Sequence, residues 1–202
     1  MKISPIYWHI YLYRITMQFL YGFRYFKRYK YAISNINGES VLELCFGDIV
    51  IADFCFRNKI KWTGYDINQR FVNRAIKKGH NAMFCDLRTF KKITKADNCI
   101  IVGSLYHFID IINSFMQLIF NSADRVIISE PIKNISSGNK RINRFAALLS
   151  NAGNGHETFR FSEHGLIKTL EYYSEKYNFT ISKKEFYKKD IIVILDKCKT
   201  PK

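Results

Sequence analysis

The sequence is poor in residues that break regular structure. It has only 3 Pro and 10 Gly among 202 residues, against a hydrophobic fraction of 48% and an aromatic fraction of 16%. Disordered chains have the opposite balance, with few aromatic residues and many prolines. The composition therefore excludes a disordered or low-complexity protein. It predicts one packed domain, because this length suits a single core with a terminal extension.

Long apolar runs and paired cysteines are also missing. No uninterrupted apolar stretch approaches the roughly 20 residues that cross a bilayer, and we find no signal-peptide pattern. The five cysteines form no CxxC pair, and His, Cys and acidic residues show no recognised metal-ligand spacing. We therefore expect a cytoplasmic protein with reduced cysteines, no transmembrane segment and no metal.

Acidic residues are scarce relative to basic ones. The chain has 17 Asp and Glu against 32 Lys and Arg, which gives a formal charge of +15. A field of this sign attracts anionic partners, such as nucleic acid, an anionic membrane surface or a phosphorylated substrate. The alternative is that lysine pairs such as Lys77–Lys78, Lys91–Lys92 and Lys183–Lys184 are solvated surface residues without a partner.

Short apolar runs and helical patterns alternate along most of the chain. The runs show no polar alternation, which is typical of strands buried on both faces. They are Val41–Cys45, Trp62–Tyr65, Ala82–Cys85, Cys99–Gly103 and Val126–Ser129. Helical patterns lie between them at Ile49–Arg57, Asn68–Lys78 and Ile109–Phe120. This alternation predicts a mostly parallel sheet between two layers of helices.

The last third departs from this alternation. Helical patterns at 141–151 and Glu163–Lys176 precede two further apolar runs, Phe179–Lys183 and Ile191–Leu195. Because only a short polar link joins these runs, we expect a terminal antiparallel hairpin. The prediction is an α/β, three-layer αβα Rossmann-like fold with a seven-stranded sheet. It is one domain over 35–202, preceded by a helical extension over 1–34.

Acidic residues follow two neighbouring predicted strands. Ligands of open α/β sheets bind at the carboxyl ends of the strands. Asp66 lies about twenty residues beyond the first turn, where one carboxylate can accept both hydroxyls of a ribose. It could instead cap the helix that begins near Asn68. Asp86 repeats the pattern one strand later, as an acceptor for an adenine amino group or as a helix cap.

These elements together resemble the class I S-adenosylmethionine-dependent methyltransferases from Val41 to about Asp196. The segment Val41–Asp48 is similar to the family's first motif, an acid followed by Gly-x-Gly. The resemblance implies that Asp66 binds the ribose and Asp86 the adenine of S-adenosylmethionine. The full set of cofactor-binding residues that it implies is Glu43, Cys45, Phe46, Gly47, Asp66, Ile67, Asp86, Leu87, Ser104 and Tyr21.

The first motif departs from the family at one glycine. Cys45 stands where the family has the first glycine, and Ile49 replaces a later small residue. Glycine permits positive φ and a close approach of the backbone, whereas cysteine favours an ordinary conformation. We therefore expect Cys45 to keep strand-like geometry and Gly47 to be the point of close approach. A catalytically inactive relative stays an alternative.

Residues after the fourth and fifth strands are candidates for the acceptor site. His107 is a candidate base because its ordinary pKa lies near neutral pH. Tyr106 could shape the pocket, and Glu130 could orient an acceptor or pair with a cation. The segment Ser104–His107 lacks the Pro-Pro-aromatic sequence of enzymes that methylate amide or base nitrogens. The resemblance therefore implies a small-molecule, sugar or lipid-linked acceptor.

The aromatic and basic N-terminal segment leaves two hypotheses open. Related small-molecule enzymes often have helices that fold over the pocket, which would make 1–34 a lid with Tyr21 near the cofactor. The segment could instead bind an anionic membrane as an interfacial helix. The aromatic residues spread around the helix, which favours the lid. The +15 charge keeps an RNA-binding protein or RNA methyltransferase as a further alternative.

Overall fold

The predicted alternation of strands and helices is present in a computed structural model, which describes residues 10–21, 25–132, 159–187 and 190–199. The helices are α1 (Ile10–Tyr21), α2 (Tyr25–Ile33), α3 (Val50–Arg57), α4 (Gln69–Lys77), α5 (Ile112–Phe120) and α6 (Glu163–Tyr177). The strands are β1 (Ser40–Leu44), β2 (Lys61–Asp66), β3 (Asn81–Phe84), β4 (Ala96–Val102), β5 (Ala123–Pro131), β6 (Phe179–Tyr187) and β7 (Asp190–Lys197). The helix predicted over 141–151 lies outside the described residues.

The seven strands form one sheet in the order β3-β2-β1-β4-β5-β7-β6. Strands β1 to β5 are parallel to one another, and β7 pairs antiparallel with both β5 and β6. The predicted fold class and terminal hairpin are therefore confirmed. The strand order reverses at β1, which lies between β2 and β4, and ligands of open α/β sheets bind at such a switch point.

Both faces of the central strands are buried, which explains their unbroken apolar runs, whereas the edge strands β3 and β6 are largely exposed. In β1, Leu42 and Leu44 face the core under α5 and α6, whereas Val41 faces the core under α1 to α4. Successive side chains of a strand point to opposite faces, so each face needs its own apolar set. Within the described part of the chain, no helix is long and apolar enough to cross a membrane.

One helix begins earlier than its sequence pattern indicates. The pattern predicts a helix from Ile109, but a 3-10 helix spans Leu105–Ile111 and continues into α5 at Ile112. Both carboxyl oxygens of Glu130 accept backbone N–H bonds here, from Leu105 and from Tyr106, each at 3.1 Å. These bonds satisfy N–H groups that a helix start leaves without a partner. The start is thus fixed by a side chain on β5.

Candidate functional site

The turn after β1 has a backbone that its sequence does not predict. Cys45 has φ of 53°, and Gly47 has φ of 54°. The expectation of strand-like geometry at Cys45 is therefore wrong. The Cys45 N–H donates to the Tyr65 carbonyl at 2.7 Å, so pairing with β2 extends to the turn and holds Cys45 in the left-handed region. A non-glycine residue costs about 1–2 kcal/mol there.

Replacing Cys45 with Gly is expected to stabilise the protein by up to about 1 kcal/mol, because it removes this backbone cost. Cys45→Ala keeps the Cβ and is expected to be no more stable than the native chain. The measurement is the free energy of unfolding in urea for all three proteins. A Gly variant less stable than the Ala variant would contradict the conformational explanation.

The side chain of Phe46 points away from the turn. It is only 2% exposed, and its ring packs edge-to-face on Trp62 with ring centroids 5.3 Å apart. Phe46 was predicted to contact the cofactor, but the side chain belongs to the core under α1 to α4. Only its backbone forms part of the turn.

Glu43 is held beneath the turn by Trp62. The indole N–H of Trp62 donates to Glu43 Oε2 at 2.8 Å, and Oε1 has no hydrogen-bond partner among the described residues. Burial raises the pKa of Glu43 well above its ordinary value. Gly64 makes this contact possible, because a Cβ there would lie 2.1 Å from the Trp62 ring. Glu43 is thus a buried carboxyl group, and only one of its two oxygens accepts a hydrogen bond from a described residue.

Asp66 lies at the tip of β2 and connects it to the turn after β1. Its Oδ2 accepts the Gly47 N–H at 2.9 Å, and its Oδ1 accepts the Asn68 N–H at 2.7 Å. Burial raises the pKa of Asp66 to about 6, although these two N–H bonds act in the opposite direction. The N-cap of α4 is Asn68, whose side chain accepts the Arg70 N–H. Asp66 is therefore not the helix cap.

The other predicted cofactor residues lie along the same edge of the sheet. Asp86 is half-buried after β3 and accepts the Arg88 N–H at 2.9 Å. Leu87 is buried, and Ile67 and Ser104 are half-buried. The side chain of Tyr21 lies outside the described part of the structure. The strand tips thus bring together Asp66, Asp86 and the Cys45–Gly47 turn.

Helix α1 covers this turn through two residues that sequence reasoning missed. The Tyr13 hydroxyl lies 2.9 Å from the position of a Cβ on Gly47. Arg14 donates from Nε and Nη2 to the buried Asp48 carboxylate at 2.7 and 2.8 Å, and Arg74 contacts it at 3.2 Å. The sequence did contain a signal that could have identified Arg14, because it is the only Lys, Arg, Asp or Glu between Lys2 and Arg24.

A second group of polar residues lies at the tips of β4 and β5. Glu130 is fully buried, and burial raises its pKa to about 8. The Arg160 guanidinium lies over the Tyr106 ring, 3.8 Å from its centroid, and the His107 ring lies 4.0 Å from the same ring. The three predicted acceptor-site residues, Tyr106, His107 and Glu130, are therefore neighbours.

His107 has a different protonation behaviour from the one expected. Burial, followed by the positive charges of Arg160 and Arg88, lowers the pKa of His107 to about 3. The expectation of a pKa near neutral pH is therefore wrong. A group with this pKa is neutral at pH 7 but has little affinity for a proton, which makes it a weak general base. Its buried Nδ1 has no hydrogen-bond partner in the part of the chain that the structure describes.

Arg28 of α2 reaches the same tips from the opposite face of the sheet. Its Nε pairs with Asp190 of β7 at 3.1 Å, and both side chains are buried. Its Nη2 lies 2.4 Å from the position of a Cβ on Gly103, where φ is 67°. Gly103 is therefore required twice, for its conformation and for the close approach of Arg28. No pattern in the sequence separates Arg28 from the nearby Lys27 and Lys30.

The strand order, the terminal hairpin and the site at the β1–β4 switch point define the fold of class I S-adenosylmethionine-dependent methyltransferases. The methyltransferase domain of bacterial CtHen1 is similar to this chain with a TM-score of 0.64 and 15% identity, over 83% of this chain and 93% of that one. Magnesium protoporphyrin IX methyltransferase from Synechocystis PCC 6803, with bound SAH, has a TM-score of 0.59 and 19% identity, over 92% and 84%.

An rRNA methylase from Escherichia coli is similar at a TM-score of 0.58 and 14% identity, over 96% of this chain and 70% of that one. No protein-family model and no curated protein sequence matches the chain. At these identities the likeness concerns the fold. The chemistry has to be argued from the residues of the site.

Proposed function

We propose that the protein is an S-adenosylmethionine-dependent methyltransferase. The observation that carries this proposal is the position of Asp66, whose buried carboxylate lies at the tip of β2 and contacts the Gly47 N–H. A carboxylate here can accept the two hydroxyls of a ribose. The similar porphyrin methyltransferase was solved with bound SAH and SAM, which agrees with this choice of ligand.

The residues at the strand tips fit such a ligand. Each carboxylate oxygen has two lone pairs, so Asp66 can accept ribose hydroxyls in addition to its two backbone N–H bonds. The half-buried Asp86 can accept the adenine amino group one strand further along. The turn at Cys45–Gly47 has positive φ at both ends, which brings the backbone near the ligand, and Tyr13 and Arg14 would cover it. Residues 1–34 are then a lid.

The bound sulfonium would supply an activated methyl group, so the protein chiefly has to orient the acceptor and exclude water. Glu130 holds the N-terminus of the 3-10 helix and thereby positions Tyr106 and His107. We propose Tyr106 and His107 as walls of the acceptor site. A small-molecule, sugar or lipid-linked acceptor is part of the proposal, because the segment Ser104–His107 lacks the Pro-Pro-aromatic sequence. A cytoplasmic location is also part of the proposal, because all five cysteines are free thiols.

A second candidate acceptor is RNA. The observation that favours it is a basic depression on α4, lined by Arg70, Asn73, Arg74, Lys77 and Lys78. Three of the similar solved structures are rRNA methylases. Methyl transfer to RNA uses the same cofactor site, so the test of the cofactor does not depend on the acceptor.

Calorimetry with S-adenosylhomocysteine tests the proposed cofactor site. We expect saturable binding at one site per chain. S-inosylhomocysteine, which has an oxygen in place of the adenine amino group, is the matched ligand. It is expected to bind roughly tenfold more weakly, because Asp86 loses a charge-assisted hydrogen bond. No detectable binding of S-adenosylhomocysteine at about 1 mM, where even weak complexes form, would end the enzymatic proposal.

A further inference from the structure

Positive charge is concentrated around the edge strand β3. Between residues 69 and 95 the chain has eight Lys or Arg and one acidic residue, Asp86. The whole chain has only about two basic residues for each acidic one, 32 against 17. Nearly half of the net charge therefore belongs to α4, β3 and the segment that follows β3.

Two of these basic residues form ion pairs within the folded protein, and others do not. Arg74 pairs with Asp48, and Arg88 pairs with Asp110. Lys77, Lys78, Lys91 and Lys92 are exposed and form no ion pair with any described residue. Four unpaired ammonium groups repel one another, which favours binding of an extended anion.

The α4 cations line a depression rather than a flat face. Its walls are Arg70, Asn73, Arg74, Lys77 and Lys78. A concave cationic surface follows a chain of phosphates, and asparagine can bond to a sugar or phosphate oxygen. A bilayer surface is flat and binds best to a helix with one apolar face, but this face of α4 is polar.

The same part of the chain also has exposed aromatic rings. β3 is the edge strand next to β2, and its side chains Met83 and Phe84 are exposed, Phe84 by 55%. In the following segment Phe90 is 49% exposed and directly precedes Lys91. Large exposed apolar groups are uncommon at an open sheet edge, because such edges invite aggregation. Aromatic rings among cations are instead typical of surfaces on which nucleic-acid bases stack.

We infer that α4, β3 and residues 88–95 form a binding surface for single-stranded RNA. Lysines on α4 and after Phe90 would contact the phosphates, and Phe84 and Phe90 would stack on bases. RNA is the occupant because its loops and ends offer unpaired bases for stacking, unlike a duplex. We call residues 69–84 and 88–95 the β3-edge surface, which leaves out Asp86 and Leu87 of the proposed cofactor site.

The β3-edge surface is separate from the proposed methyl-transfer site. Three strand intervals lie between β3 and β4, or about 14 Å at the usual strand spacing. RNA bound here would therefore dock beside the adenine end of the cofactor site rather than fill the site near Tyr106. Binding needs no cofactor, so the inference goes beyond the proposed function and can fail or succeed without it.

The test is fluorescence anisotropy of the full chain with a labelled single-stranded oligouridylate of roughly a dozen nucleotides, within the range of single-strand site sizes. Binding should weaken steeply between about 50 and about 200 mM salt. Lys77→Gln with Lys78→Gln, and separately Lys91→Gln with Lys92→Gln, should each reduce the magnitude of the slope of log affinity against log salt by about 1.4, since each phosphate contact on a single strand contributes about 0.7. Phe84→Ala and Phe90→Ala should each weaken binding roughly tenfold.

The matched control is Lys183→Gln with Lys184→Gln, which removes the same charge from β6 at the opposite edge of the sheet. It should leave the salt slope unchanged. Undetectable RNA binding at low salt would overturn the inference. Equal effects of the three lysine pairs would also overturn it, because RNA would then bind to the overall positive charge of the protein rather than to one defined surface. Binding to anionic vesicles but not to RNA would also overturn it. Unchanged S-adenosylhomocysteine binding in every variant shows that the cofactor site is intact.

Discussion

Replacing Asp66 with Asn is expected to weaken S-adenosylhomocysteine binding by about 100-fold. The carboxylate would accept one ribose hydroxyl at each oxygen, and an amide offers only one oxygen. A hydrogen bond to a charged group contributes about 1.5–3 kcal/mol, and every 1.4 kcal/mol is a tenfold change in affinity. Calorimetry on the native chain and the variant, at about pH 8 so that the native carboxyl is ionised, gives both dissociation constants.

The variant is expected to stay folded. Burial raises the pKa of Asp66 to about 6, which means that the folded protein disfavours the charged form at neutral pH. A neutral amide avoids the free-energy cost of burying a charge, and its oxygen can still accept one of the two backbone N–H bonds. Asp124→Asn is the matched control, since Asp124 is an exposed carboxylate on β5 far from the turn. An Asp66 variant that binds nearly as tightly as the control would refute the ribose assignment.

The same carboxylate gives the binding a predicted pH dependence. Its folded-state pKa lies above its ordinary value of 3.8, so the group takes up a proton as the pH falls through about 6. If only the carboxylate binds ribose, affinity is level above about pH 7 and falls about tenfold per unit below about 6. Protonation meanwhile favours the folded state, because that state holds the proton more tightly than the unfolded chain does. Lost binding at pH 5 would therefore not reflect lost folding through this group.

The fold could be predicted from the sequence because its central strands are buried on both faces. Runs such as Cys99–Gly103 and Val126–Ser129 have no polar side, and only a sheet covered by helices on two faces buries them. The same logic located Asp66 and Asp86, because parallel strands end at one edge and the residues after them have to meet there. These predictions depend on periodicity and order along the chain.

The details of the site depend on contacts that periodicity does not encode. Cys45 has positive φ because its N–H is fixed by Tyr65 of the neighbouring strand, a constraint far along the chain. Phe46 turns inward because Gly64 leaves room for the Trp62 ring against which it packs. The low pKa of His107 results first from burial and then from the positive charges of Arg160 and Arg88, which lie 53 and 19 positions from it in the sequence. Each of these features depends on tertiary contacts between residues that are distant in the sequence.

Both N-terminal helices bring an arginine to the carboxyl edge of the sheet. Arg14 of α1 binds Asp48 in the turn after β1, and Arg28 of α2 binds Asp190 beside Gly103. The two pairs lie on the two sides of the β1–β4 switch point. Helices α1 and α2 therefore both contact the edge of the sheet where the proposed site lies, as a lid would. The exposed outer face of α1, with Tyr11, Leu12 and Ile15, is where a membrane contact would have to form.

Replacing Arg28 with Met is expected to destabilise the protein by about 3–5 kcal/mol. The guanidinium and its partner Asp190 are both buried, so the variant leaves a carboxylate in the interior without its ion pair. Removing one partner of a buried pair costs about this much, which is a large part of the about 5–15 kcal/mol that holds a typical domain folded. Urea unfolding followed by circular dichroism measures the loss.

A double variant separates the ion pair from the packing of the long Arg28 side chain. Arg28→Met combined with Asp190→Leu removes both charges and should recover most of the lost stability, because apolar residues of similar size replace buried ion pairs at little cost. A double variant no more stable than Arg28→Met alone would show that the packing of the guanidinium against Gly103 matters, rather than its charge. Arg28 also lowers the pKa of Glu130 by its positive charge. Its removal should therefore keep Glu130 protonated to higher pH, and proton-linked unfolding between about pH 7 and 9 would reveal this shift.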